Sequence, residues 1–269
     1  MTSDFLKDLL KRLETNDPEA IEQCLNEVET LLPAAGDQET ADLVGAVNAV
    51  FYYDTYEYPH LQPVVNHAVK TLSTAGERVI PHLLRLLGDS DYKVEFHYAL
   101  IFGQIGAAAV APLLQAYEVA RDSTERSFII YSLGKIKSPV LKEAITLVLT
   151  EHGSSSKEVR DSAARTMGKI VENVSATDVS PQLRSQICAR LIAALHDTHS
   201  GVRAKACRSL GKLAKRGWLD KTEIDILSHE IAHLLGKDSQ PWDDAFAVRK
   251  EAAEVEETLS RLRQSGTPF

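Results

Sequence analysis

The residues best placed to do chemistry lie towards the C-terminus, where His229, Glu230 and His233 spell HExxH. On a helix that spacing sets two imidazoles one turn apart to hold zinc while the glutamate activates water, as in a zinc peptidase. The register opposes this reading. Aligning LSHEIAHLL with the earlier segment ICARLIAALH puts Leu227, Ile231, Leu234 and Leu235 on a buried stripe. At about 100° per residue, both histidines then turn outward. There they lack a third ligand and a walled cleft. Glu251 and Glu254, 18 and 21 residues beyond His233, fall on the next helix. The expectation is a solvated pair, with metal binding at His229 and His233 as the weaker alternative, and no cofactor. No GxxxxGK[ST], GxGxxG or GxSxG string occurs, so enzymatic activity has little else to rest on.

Aromatic and charged residues suggest recognition instead. Residues 51–58 hold Phe51 and four tyrosines, Tyr52, Tyr53, Tyr56 and Tyr58, a composition enriched at interfaces and also suited to filling an irregular joint. Trp242 sits in the polar stretch GKDSQPWDDAFA, either as a partner contact or as packing on an open end. The net charge of -8 argues against a general nucleic-acid binder, which needs a basic surface. That charge is uneven. Residues 1–62 carry 13 acidic and 3 basic side chains, whereas 157–216 carry 12 basic and 5 acidic ones.

The element that positions these groups is a repeated helix. VRDSAARTMGKI (from Val159) and VRAKACRSLGKL (from Val202) share a template with looser copies starting at Val94, Glu125 and Val248, at spacings of 31, 34, 43 and 46 residues. With the first residue as position zero, positions zero, four, five, seven, eight and eleven form the buried stripe, and three, six and ten an adjacent exposed one. Gly103, Gly134, Gly168 and Gly211 recur where two helices approach closely. Each template follows a first helix, such as VIPHLLRLLGD or ICARLIAALHD, whose closing Asp89 or Asp197 is expected to start the second helix by accepting backbone N–H bonds. Self-similarity of this kind marks an array in which no unit buries its apolar face alone. No segment alternates as a half-buried strand does, so the fold class is all-α.

The organisation read from the sequence is an N-terminal helical cap over 1–58, a repeat array over 59–262 and a disordered tail over 263–269, in one continuous solenoid. The polar turn Gly153 to Ser156 is expected to be flexible. The odd cysteine count, Cys24, Cys188 and Cys207, reads as reduced buried thiols. No apolar run reaches membrane-spanning length and the start reads as an amphipathic helix, so a cytoplasmic protein without membrane contact is expected.

With small residues in mid-helix and a late glycine, VRDSAARTMGKI resembles the HEAT-like repeats, especially the bacterial subtype also found in phycobilisome lyases. The resemblance covers about Pro59 to Leu262, and Glu257 departs from it where glycine is expected. It implies a HEAT-like α-α superhelical solenoid whose second helices line the concave side. The stripe there would present Phe128 and Tyr131 as anchors and Lys135, Arg165, Lys169, Lys205, Arg208 and Lys212 as a basic ridge. The function expected is a non-enzymatic protein-binding scaffold or adaptor for an acidic partner segment. The alternatives are a phycobilin-lyase-like chromophore binder and, through HExxH, the zinc peptidase.

Overall fold

Prolines and aspartates set where the helices begin. Asp17 accepts the Glu19 N–H at 3.0 Å ahead of Pro18, and Asp91 accepts those of Lys93 and Val94 at 2.9 and 3.0 Å. Both satisfy N–H groups that a helix start leaves unpaired. The computed structural model describes residues 3–87, 91–237 and 241–264, and these are helical with no strand among them. The chain divides into two compact units, Met1–Val119 and Ala120–Phe269.

The first unit holds α1 (Ser3–Leu13), α2 (Pro18–Leu31), α3 (Asp37–Asn48), α4 (Gln62–Thr74), α5 (Ile80–Leu86), α6 (Tyr92–Ile105) and α7 (Val110–Glu118). Its core takes Leu9, Leu13, Ile21, Leu25 and Val28, which recur at spacings of three and four within α1 and α2. Phe51 is buried too, stacked on His97 at 4.9 Å. Asp89 lies outside the described residues, and Asp91 caps α6. One expectation fails here. Lys93–Glu118 is long and apolar enough to cross a membrane, with a mean hydropathy of 1.6. Gly106, at φ 79°, nevertheless ends α6 within it, and Val94, Ile101, Phe102, Val110 and Leu113 are fully buried.

The second unit holds α8 (Ser123–Leu133), α9 (Ile145–Glu151), α10 (Lys157–Asn173), α11 (Pro181–Ala194), α12 (Ser200–Lys215), α13 (Lys221–Leu234) and α14 (Phe246–Gln264). The template helices α8, α10, α12 and α14 pack one on the next, and α9, α11 and α13 each pack on the helix that follows. The glycine position explains the close fit. A Cβ at Gly134 would lie 2.7 Å from Thr166 Oγ1, one at Gly168 2.9 Å from Ser209 Cβ, and one at Gly211 2.9 Å from Val255 Cγ2. Position nine of α8, α10 and α12 therefore receives position seven of the template helix that follows. The hydroxyls met there are used, since Thr166 donates to the Ile130 carbonyl at 2.9 Å and Ser209 to that of Ala164 at 2.7 Å.

The template arginine joins the repeats. Arg160 is bidentate on Asp197 (2.6 and 3.0 Å) and Arg203 on Asp243 (2.6 and 2.8 Å). Each also donates to carbonyls of the turn before its own helix, Arg160 to Ser154 and Ser155, Arg203 to Asp197 and Thr198. The Gly153 to Ser156 turn, expected to be loose, is thus clamped. Asp197 departs from its expected role as well, because its carboxylate serves Arg160 and the His199 N–H rather than capping α12 itself. Bidentate arginine–carboxylate geometry with little solvent exposure makes these the stronger kind of ion pair.

Helix α14 continues through Gln264, into the stretch expected to be a tail, and residues 265–269 lie outside the described residues. All three cysteines are buried and free. Burial pushes the Cys188 thiol up to about 12 and raises that of Cys207.

Candidate functional site

On the template helices the buried arc is wider than expected. Position three turns inward: Phe128 is 7% exposed, and Ser162 and Glu251 are buried. On a helical wheel this position borders position seven, the side that meets the preceding template helix. Phe128 is therefore buried and not an exposed anchor. Lys205, also at position three, reaches back to Asp161 of the preceding template helix at 2.6 Å.

Apart from the buried Thr258, positions six and ten stay accessible, and their charges are largely matched. Lys169 and Lys212 both hold Glu172, at 2.9 and 3.0 Å. Burial works to raise the Glu172 pKa, but hydrogen bonds from these lysines outweigh it and hold the carboxyl below its ordinary value. Burial also lowers the Lys212 pKa. Arg208 forms a fork with Glu251, with Nε at 2.9 Å. Arg165 has no carboxylate partner among the described residues and lies over the Tyr131 ring at 5.0 Å, where Lys135 also sits at 4.9 Å. Two cations on one half-buried aromatic ring make a compact, positively charged contact point.

Beyond this point the face opens into a groove of about 360 Å³ between α12 and α14, lined by Arg208, Lys212, Lys215, Arg216, Glu251 and Glu254 among others. Lys215 and Arg216 have no side-chain partner among the described residues. They lie past the end of the twelve-residue template, so reading down its positions did not find them. The basic run KLAKRG was the signal available.

The other candidates lie apart from this face. Tyr56 and Tyr52 are 95% and 53% exposed, and Tyr58 is partly exposed against His60. Tyr53 instead donates to the Leu13 and Thr15 carbonyls, which fastens the end of α1. Trp242 is exposed beneath the Arg249 guanidinium at 4.6 Å. In HExxH, Leu227, Ile231 and Leu234 are buried, His229 is exposed, and Glu230 pairs with His196 at 2.9 Å. Among the described residues, no group of three or more His, Cys, Asp or Glu side chains is placed to hold a metal ion.

Comparison with solved structures bears on the architecture. The chain is similar to the complex of CpcE and CpcF of phycocyanin lyase from Nostoc sp. PCC7120, with 20% identity over 66% of this chain and 98% of that one and a TM-score of 0.52. The chain has a HEAT-like helical repeat fold. Looser matches are a HEAT-like repeats protein from the archaeon Thermococcus onnurineus NA1 (14% identity, 88% of this chain and 97% of that one, TM-score 0.48) and an engineered protein (17%, 97% and 98%, TM-score 0.44). No protein-family model matches the sequence, and no curated protein is similar to it. In this HEAT-like framework, the seams between template helices consume most of the ridge charge, which leaves Arg165, Lys215 and Arg216 exposed.

Proposed function

We propose that the chain is a non-enzymatic protein-binding module that takes an acidic partner segment on its template-helix face, in a cytoplasmic setting. The observation that carries this reading is the charge left after ion pairing. Arg165, which lies over the Tyr131 ring, and Lys215 and Arg216 further along stand exposed without a carboxylate partner among the described residues. Unpaired cations interspersed with an aromatic ring provide both steering and an anchor. The similar Nostoc structure is itself a complex of two proteins, which supports a protein partner. The free buried thiols support a reducing compartment. Binding of a tetrapyrrole, the alternative reading, has only the shared fold in its favour.

The test follows from which cations are free. Reversing Lys169, Arg208 or Lys212 would strand Glu172 or Glu251 and confuse binding with stability. Reversing Arg165, Lys215 and Arg216 to glutamate avoids this. Binding of a poly-glutamate peptide, followed by fluorescence anisotropy, should weaken about tenfold or more at low salt and converge with wild type as salt rises. Equal binding by both proteins at low salt removes this face from the function.

A further inference from the structure

We infer that the groove between α12 and α14 recognises a polypeptide segment carrying both charges, with an acidic side chain against Lys215 and Arg216 and a basic one against Glu254. The inference rests on the protein-binding reading above and adds a second charge to the partner.

The two walls of the groove differ in sign. Helix α12 contributes Arg208, Lys212 and Lys215, whereas α14 contributes Glu251 and Glu254. Part of this charge is already spent within the protein, as Lys212 is held by Glu172 at 3.0 Å and Arg208 by Glu251. What remains is opposed across one space: Lys215 and Arg216 on one side, and the exposed Glu254 on the other, none with a side-chain hydrogen bond or ion pair among the described residues, although Glu254 lies near enough to Arg208 to help raise that guanidinium's pKa. Thr258, on the same wall, does not neutralise Glu254, because its hydroxyl donates to the Glu254 carbonyl at 2.9 Å.

A purely acidic segment entering here would set its carboxylates beside Glu254 well within a Debye length, and like charges at that separation oppose binding. A segment with one residue of each sign satisfies both walls. The volume, about 360 Å³, admits the ends of a few side chains rather than a folded element. Residues of opposite sign three or four apart on a partner helix would lie on one face and enter together.

The experiment uses the full chain and two fluorescein-labelled peptides of equal length, poly-glutamate and a version with lysine at every fourth position, at low salt. Wild type should bind the mixed peptide more tightly. Glu254→Lys should weaken the mixed peptide about threefold while strengthening poly-glutamate, and Lys215→Glu with Arg216→Glu should weaken both. All three positions are exposed, and circular dichroism checks that the variants fold. If Glu254→Lys tightens both peptides alike, the second charge is wrong and the acidic-segment reading survives. If reversal of Lys215 and Arg216 changes nothing while Arg165→Glu abolishes binding, the groove is not the site. Binding of neither peptide to wild type overturns both readings.

Discussion

His152 follows α9, and both its ring nitrogens are shut away from solvent without a hydrogen-bond partner among the described residues. Burial, with the charge of Arg190 adding to it, pulls its pKa down to about 4. An unfolded chain titrates near the ordinary value of about 6.5. Between those values the unfolded state takes up a proton that the folded state refuses, so stability falls as pH drops from about 6.5 towards 4. From pH 7 to pH 5 this histidine alone should remove about 2 kcal/mol. His97, lowered by burial, and His82, lowered by burial and Arg85, act in the same direction. Urea unfolding at the two pH values checks it: His152→Leu should lose less stability than wild type over that interval, and an identical loss would show that His152 is not the group responsible. The exposed histidine of HExxH and its partner one turn on should behave differently. Replacing His229 and His233 together by alanine should shift stability by less than about 1 kcal/mol. Native mass spectrometry on the wild type checks the alternative, since stoichiometric zinc lost in the double variant would reinstate the metal reading.

At the scale of the helix, the array makes neighbouring positions unequal. From α8 to α14, positions five and nine of one template helix face positions three and seven of the next, as the contacts of Gly168 with Ser209 and of Lys205 with Asp161 show. Among the described residues no template copy follows helix α14, and its Ala253 is exposed whereas the equivalent Ala164 is fully buried. Ala164→Leu should therefore overpack the α10 and α12 seam and cost about 1 to 3 kcal/mol, while Ala253→Leu should stay within about 0.5 kcal/mol. Denaturant midpoints distinguish the two, and equal losses would mean that the last copy is packed like the others. The same inequality explains what could be read in advance. Apolar periodicity located the stripe through Val159, Ala163, Met167 and Ile170 because those residues face the core whatever their neighbours are. It could not assign Ser162, Lys205 or Glu251, since the burial of position three depends on a helix about 35 to 45 residues away in sequence. Nor could it separate a seam lysine from a free one. Lys205 and Arg165 belong to the same basic ridge in sequence, and only the position of Asp161 sets them apart.

At the scale of the whole molecule, charge divides with the two compact units. The first carries 7 basic and 18 acidic residues, the second 23 and 20, giving net charges of -11 and +3. An acidic segment approaching the template-helix face thus meets local attraction within a repulsive overall field, and a field of that kind acts chiefly on the association rate. Deleting residues 1–15 would be a poor probe of this, because Leu9 and Leu13 are core residues, Arg12 pairs with Glu27, and Leu13 and Thr15 accept from Tyr53. Neutralising Glu14, Glu19 and Asp42, which make no ion pair among the described residues, removes charge without opening the core. Glu14→Gln, Glu19→Gln and Asp42→Asn together should raise the association rate of a poly-glutamate peptide about twofold at low ionic strength. The dissociation rate should hardly change, and the gain should vanish once the Debye length falls to about 3 Å in molar salt. Stopped-flow anisotropy reads both rates. A rise that persisted in molar salt, or a change confined to dissociation, would mean that these carboxylates touch the peptide directly and that the first unit forms part of the binding surface.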